Sequence, residues 1–233
     1  MTPQEVQTWR RTLRHELIEK RAALPGATLD EYRRRIDTHL QRAFPDLARG
    51  VIAFCWPYKN EYDARHLLAD LRRHGATTAL PAIVAPRTPL VFREWHPGVT
   101  LCEGPLGIPF PPDSREVQPD SVLLPVVAFD AGGYRLGYGG GYFDRTLASI
   151  ARRPRVIAVG YEMQFIDTIH AQPHDIPLDY VVTERGVYAR GSGDGLRYLD
   201  DAAQGYSSPP CYAAEIAPDY FGEFQPPRES GSE

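Results

Sequence analysis

The chain has 233 residues, of which 42% are hydrophobic and 24% charged, with a net charge of −4. That length buries a core without covalent staples, and the near-neutral balance gives no nucleic-acid footprint. Cys55, Cys102 and Cys211 are few and far apart, with no C-x-x-C, which leaves neither a disulfide framework nor a zinc site. The N-terminus is polar rather than an apolar leader, and no apolar run approaches the ~20 residues of a membrane helix; a cytoplasmic, reduced chain with no membrane partner is expected.

Thr2-Pro3-x-Glu5 is a capping box with proline at the first helical position. Val6, Trp9, Leu13 and Leu17 follow at helical spacing, so an amphipathic helix is expected to about Leu24, where Pro25-Gly26 stops it. Thr28-x-x-Glu31 predicts a second helix with Tyr32, Ile36 and Leu40 on one side, ending near Pro45. Val51 to Trp56 reads as a strand. Glu61 to His74 reads as a helix, with Leu67, Leu68 and Leu71 inward and Gly75 as its stop. Strands are expected at Thr77 to Val84, Leu90 to Trp95, Val122 to Phe129, Val156 to Tyr161 and Tyr180 to Thr183. The stretch from Gly104 to Pro119 holds too many prolines and glycines to be regular.

Strands alternating with helices predict an α/β fold, a three-layer sandwich with a mainly parallel central sheet flanked by helices. Ligands in such sheets gather at the carboxyl ends of the strands. The domain is expected over residues 1–190, followed by a tail over 191–233. From Arg190 onward eight acids face three arginines, and GSGDG and PPRESGSE read as linker and disorder. Tyr198, Tyr206, Tyr212, Ile216, Tyr220, Phe221 and Phe224 give the tail apolar anchors, so it either docks on its own body or an unknown protein, or stays solvated.

The segment Ser121 to Leu147, SVLLPVVAFDAGGYRLGYGGGYFDRTL, carries the strongest functional signal. A buried strand delivers Arg135 and a loop with glycines at 137, 139, 140 and 141 onto a helix that begins near Asp144-Arg145. Bare backbone N–H groups and a helix N-terminus favour an anion there. The loop is neither a P-loop, which ends in Gly-Lys-Ser/Thr, nor a dinucleotide fingerprint, whose last glycine is here Tyr142. A glycine-rich turn is the plainer alternative, against which the charge of Arg135, Asp144 and Arg145 argues.

Other candidates are ambiguous by themselves. Arg10 and Arg14 project together from the border of the first helix's apolar stripe, as a phosphate pair or as part of a solvated basic face to which Arg11, Lys20 and Arg21 also belong. Trp56 can stack on a flat heterocycle and Glu61 can accept from its amino group, or both belong to a helix-entry loop. Asp144 and Asp179 are the two carboxylates that Mg²⁺ would take beside a polyphosphate, although Asp144 can also cap a helix. Pro173 separates His170 from His174, so no metal pair is read there. No nucleophile elbow or Ser-His-Asp set stands out.

Taken together, Arg10-x-x-x-Arg14, Glu61 after a strand, VLLPVVAFD, RLGYGGGYFDR and HDIPLDYVVTE resemble the 5-formyltetrahydrofolate cyclo-ligase family from about residue 6 to 188. The resemblance implies ATP- and Mg²⁺-dependent closure of 5-formyltetrahydrofolate to 5,10-methenyltetrahydrofolate, through phosphorylation of the formyl oxygen. Its partners would be small molecules, a reduced folate and ATP. It implies that Arg10, Arg14 and Arg135, Leu136, Gly137, Tyr138, Gly139, Gly140, Gly141, Tyr142 and Phe143 bind ATP, with Arg135 catalytic. It also implies that Trp56, Glu61, Tyr138 and Tyr142 hold the folate, and that Asp144 and Asp179 hold Mg²⁺. The chain departs from the family at Arg10 (usually lysine), Phe110 (often an acid), Phe143 (often tyrosine) and Tyr138 (arginine in some relatives). A nucleotide- or folate-binding module without turnover, and a related ATP-dependent enzyme on another formyl or carboxyl substrate, are the alternatives.

Overall fold

A computed structural model describes residues 1–191 and 195–199. Helix α1 (Pro3–Ala22) opens on the expected capping box, with Thr2 and Glu5 exchanging hydrogen bonds. Helix α2 (Gly26–Ala43) begins at Gly26, two residues before Thr28, with Pro25 at its N-cap. Strand β1 (Val51–Phe54) leads into an irregular segment, and helix α3 is confined to Arg65–Arg73. Glu61 therefore does not begin a helix. Strands β2 (Thr77–Ala82) and β3 (Val91–Trp95) follow, then the short β4 (Cys102–Glu103) and β5 (Pro109–Phe110) inside the irregular stretch.

The apolar run expected as one strand is two. β6 (Ser121–Pro125) belongs to the main sheet, and β7 (Ala128–Asp130) turns out of it to pair with β8 (Arg135–Leu136). Pro125 has no N–H for the ladder, and the buried Gln164 amide takes the carbonyls of Val126 and Val127 at 2.5 and 3.0 Å. Asp130 then closes the hairpin, its carboxylate accepting from Tyr134 N. Helix α4 (Tyr142–Ser149) starts two residues before Asp144. The chain continues through β9 (Arg155–Val159), β10 (Phe165–Ile166), β11 (Tyr180–Val182), β12 (Val187–Arg190) and β13 (Leu196–Leu199).

The eight-stranded sheet has the order β13-β12-β11-β9-β6-β1-β2-β3. The run β11-β9-β6-β1-β2 is parallel, and β3, β12 and β13 add antiparallel edges. Side-chain alternation sends Ile52, Phe54, Leu123, Ile157 and Val182 under α2 and α3, and Ala53, Val122, Leu124, Ala158 and Val181 toward Leu147 of α4. Helix α1 packs Leu17 onto Val127, Ala128, Leu136 and Ile169, beside the small sheet β10-β7-β8. Of its expected stripe, Val6 and Leu17 are buried, whereas Trp9 and Leu13 are half-buried. From β1 the chain steps to β2 on one side, and β6, β9 and β11 fill the other. The crevice between the carboxyl ends of β1 and β6 is thus the switch point where α/β sheets place their ligands. Among the described residues no helix is long and apolar enough to cross a membrane.

The boundary expected at residue 190 falls inside a hairpin, since β12 and β13 pair antiparallel from Val187↔Leu199 to Arg190↔Leu196. Tyr198 packs against Tyr188 at 5.2 Å and donates to Arg185 O. The tail's other expected anchors, and Cys211, lie outside the described residues. A chain ending at Leu199 is expected to unfold at higher urea concentration than one ending at Arg190, which lacks the outer strand and leaves the β12 edge bare; equal midpoints in chemical denaturation would contradict this.

Candidate active site

Three segments meet at the switch point, and Arg21 joins them. Its side chain, which the sequence groups with the solvated basic residues, is only 1% exposed. Nε donates to Lys59 O (2.9 Å) and Nη1 to Val126 O (3.3 Å). Nη2 donates to Tyr58 O (3.3 Å), Glu61 Oε1 (3.4 Å) and the Tyr138 hydroxyl (2.7 Å). The turn after β1 is held in an unusual shape: Lys59 and Asn60 have φ of 45° and 59°, and Asn60 is tied to Ala22 O at the end of α1. That turn aims Glu61 inward. Its Oε2 accepts from Tyr58 N and its Oε1 from Tyr138 Oη at 2.5 Å. Burial raises the Glu61 pKa, against the opposing pull of Arg21, Tyr138 and the Tyr58 amide.

Tyr138 brings the glycine loop to this cluster. Gly139 and Gly141 have φ of +90° and +62°, where a side chain is strained, and a Cβ on Gly141 would lie 2.9 Å from Arg145 Nη1. Gly141 caps α4 without a side-chain bond, and among the described residues no protein acceptor takes the amide N–H groups of Gly139 through Asp144. Arg14 reaches this loop from α1, with Nε on Gly137 O at 2.7 Å. Its Nη2 lies so close to Gly139 that a Cβ there would sit 3.4 Å from it. Arg145 donates to Gly140 O and lies 5.0 Å over the Tyr142 ring. Neither Arg14 nor Arg145 forms an ion pair among the described residues. Burial, and then repulsion from Arg10, lowers the Arg14 pKa, the signature of a cation without a counter-charge. Bare amides flanked by two unpaired guanidiniums make an anion cradle.

Arg10 and Arg135, by contrast, already have acids. Arg10 clamps the strap before β11: Nε on Ile169 O, Nη2 on His170 O, and an ion pair to Asp175 Oδ2 at 2.6 Å. A fork does this and a lysine does not. Arg135 is 7% exposed, paired with Asp144 Oδ1 at 2.7 Å and donating to Ile176 O at 2.6 Å. The same Asp144 oxygen accepts from Ile176 N at 3.2 Å, so Asp144 and Asp175 flank one peptide of the strap. Asp175, the first acid of the HDIPLDYVVTE segment, is a functional candidate that the sequence reading passes over in favour of Asp179. Asp179 goes elsewhere: it takes Val156 N at 2.8 Å and Arg153 at 3.0 Å, at the amino ends of β9 and β11, and shares no partner with Asp144.

The remaining expected residues divide between core and cleft. Leu136 is buried beneath α1, and Phe143 packs half-buried against the core cluster that includes Leu147. Phe110 lies in β5 against Gly104. Trp56 lies on the same strand edge as Glu61, with the Arg65 guanidinium 4.5 Å over its ring.

The model of the 5-formyltetrahydrofolate cyclo-ligase family matches residues 6–184. A 5-formyltetrahydrofolate cyclo-ligase of Mycolicibacterium smegmatis is 32% identical, over 76% of this chain and 95% of the relative. One of Escherichia coli is 30% identical, over 73% of this chain and 97% of the relative. The solved 5,10-methenyltetrahydrofolate synthetase of Aquifex aeolicus superposes with a TM-score of 0.68 at 27% identity, covering 82% of this chain and 97% of that one. The synthetase of Mycoplasma pneumoniae gives 0.62 at 25% identity, covering 75% and 98%.

Burial raises the Asp175 pKa, but hydrogen bonds from Arg10 and the Gln172 amide and the Arg10 charge outweigh it, so the net shift is downward. A depressed carboxylate contributes stability that is present above its unfolded value of about 4 and lost as pH falls through the folded value. The stability difference between the native chain and Asp175→Asn, measured by urea unfolding, is therefore expected to be present at pH 7 and to shrink below about pH 4.

Proposed function

The chain belongs to the 5-formyltetrahydrofolate cyclo-ligase family, and on that premise we propose that it converts 5-formyltetrahydrofolate to 5,10-methenyltetrahydrofolate with ATP, releasing ADP and phosphate. The observation that carries this reading is the contact between Tyr138 of the anion-cradling loop and Glu61 in the switch-point crevice. It puts a phosphate site and an acceptor for a heterocycle's N–H groups side by side.

In this reading the amides of Gly139 through Asp144, together with Arg14 and Arg145, hold the triphosphate. Glu61 takes the ring donors of the folate, with Trp56, Tyr138 and Tyr142 lining its path. The formyl oxygen attacks the terminal phosphorus of ATP and ADP leaves. The N10 nitrogen of the folate then attacks the activated carbon and gives up its proton to water or the departing phosphate, the C–O bond breaks, and phosphate leaves with its oxygen. The step needs positioning and charge neutralisation rather than a nucleophile from the protein.

Mg²⁺ fits Asp144 of α4 together with Asp175 of the strap. Among the described residues no donor meets Asp144 Oδ2, and Asp175 Oδ1 is met only by His174 Nε2 at 3.8 Å. Among the described residues no group of three or more His, Cys, Asp or Glu gathers for a metal. Two carboxylates suit an ion that completes its shell with phosphate oxygens and water, and it would supply charge neutralisation at the transferring phosphate. Arg135 and Arg10 act as positioning residues, each committing one carboxylate oxygen and leaving the other free. Docking of the tail expected over residues 191–233 on the body or on another protein is a separate proposal.

The deciding experiment is to mix purified chain, 5-formyltetrahydrofolate, Mg²⁺ and ATP and to follow methenyltetrahydrofolate absorbance. ATP-dependent product is expected; binding of ATP without product would favour the module without turnover. Asp175→Asn is expected to raise the Mg²⁺ concentration needed for half-maximal rate by about tenfold or more. Asp179→Asn is expected to lower the melting temperature and leave that concentration unchanged. The reverse pattern would return the metal to Asp179.

A further inference from the structure

Both oxygens of Glu61 are already engaged by the protein. Oε2 accepts from Tyr58 N at 3.0 Å, while Oε1 takes the Tyr138 hydroxyl at 2.5 Å and faces Arg21 Nη2 at 3.4 Å. The same guanidinium nitrogen donates to the Tyr138 oxygen at 2.7 Å, closing a triangle. Its members differ in freedom. Arg21 is fixed by three backbone carbonyls, Lys59, Val126 and Tyr58, and the Glu61 side chain is 3% exposed. Tyr138 is 46% exposed, and its ring meets Tyr58 edge-on at 5.9 Å. It sits in a loop between Gly137 and Gly139, and no protein acceptor among the described residues takes the amides that follow it. Tyr138 is therefore the one corner of the triangle that can leave without dismantling the core.

An incoming heterocycle that presents an N–H to Glu61 needs the place that Tyr138 holds. We propose that the Tyr138 hydroxyl is a latch on Glu61 Oε1, displaced by a ring donor of the reduced folate, and that Arg21 positions the carboxylate to receive either group. The proposal rests on the folate reading of the crevice. Tyr138 is followed directly by Gly139, Gly140 and Gly141, so its release frees the phosphate-binding loop. Arg14 stays bonded to Gly137 O on the near side of the latch and keeps the loop's root in place. Folate binding then leaves the loop free to close on a triphosphate, and by linkage the nucleotide favours folate by the same factor.

The test is calorimetric titration of 5-formyltetrahydrofolate into the full chain, with and without a non-hydrolysable ATP analogue and Mg²⁺, for the native protein and for Tyr138→Phe. The native protein is expected to bind folate about fivefold or more tightly with the analogue present. Tyr138→Phe, lacking the latch hydroxyl, is expected to bind folate about threefold more tightly without nucleotide and to lose most of that enhancement. Folate binding by the variant that is no tighter than native, or an enhancement equal to native, overturns the latch and leaves the folate reading standing. Absence of folate binding by both proteins, with analogue binding retained, overturns the folate reading and the latch with it.

Arg21's part is read from pH. Burial pushes the Glu61 pKa up and the adjacent Arg21 guanidinium opposes that push, so Arg21→Lys, whose ammonium cannot face Glu61 and bond the three carbonyls together, is expected to move the acid limb of folate binding to higher pH. Weakening that is uniform across pH would mean that Arg21 serves the fold alone.

Discussion

A guanidinium withdrawn from water must find acceptors for its donors, and Arg21 finds them only where three pieces of chain converge. The carbonyls of Tyr58 and Lys59 come from the turn after β1, that of Val126 from the end of β6, and the Tyr138 hydroxyl from the glycine loop. Glu61 supplies the opposing charge. Breaking a buried pair of this kind by removing one partner costs about 3–5 kcal/mol, because the other charge is stranded. That penalty is comparable to the cost of holding Lys59 and Asn60 in left-handed conformations, about 1–3 kcal/mol each. The crevice at the switch point therefore has a shape imposed by one buried cation rather than by loop propensity.

The arginines around the cleft divide by whether an acid answers them. Arg10 and Arg135 are neutralised by Asp175 and Asp144, and what they determine is the orientation of those carboxylates and the course of the strap. Among the described residues Arg14 and Arg145 are answered only by carbonyls of the glycine loop, Gly137 and Gly140. An unpaired cation beside bare amides in a partly desolvated place is poorly stabilised until an anion arrives, which the lowered Arg14 pKa reflects. The same sequence feature, an arginine flanking a glycine loop, thus serves two physical ends, and the presence of a nearby acid separates them.

How much of this is legible in the sequence follows from where each interaction closes along the chain. The alternation of strands and helices is a local pattern and survives as read; the glycine loop and Glu61 after β1 are also found from local pattern, although Glu61 sits in an irregular turn and not at the start of α3. The split of Val122–Phe129 does not, because the amide that draws off the carbonyls of Val126 and Val127 belongs to Gln164, far along the chain. Asp175 gains its meaning from Arg10, 165 residues away, a separation that no spacing rule spans. Arg21 is different. Leu13, Leu17 and Arg21 recur four apart, so the residue continues the buried stripe of α1, and that signal is present in the sequence. The run of neighbouring arginines and lysines hides it.

Phosphoryl transfer asks a protein for placement, and the architecture supplies it by making each binding element depend on another. The strap that carries Asp175 is fastened by Arg10 of α1, the glycine loop is fastened by Arg14 one turn later, and the turn bearing Glu61 is fastened by Arg21 near the end of the same helix. These three arginines span most of α1, so one rigid helix sets the relative positions of the Asp175 strap, the glycine loop and the turn bearing Glu61. A helix holds such spacing to a fraction of an ångström through its fixed rise per residue. Loops joined only to one another would not. On the function proposed above, the reacting atoms belong to the two substrates, and the chain contributes the frame that keeps them in line.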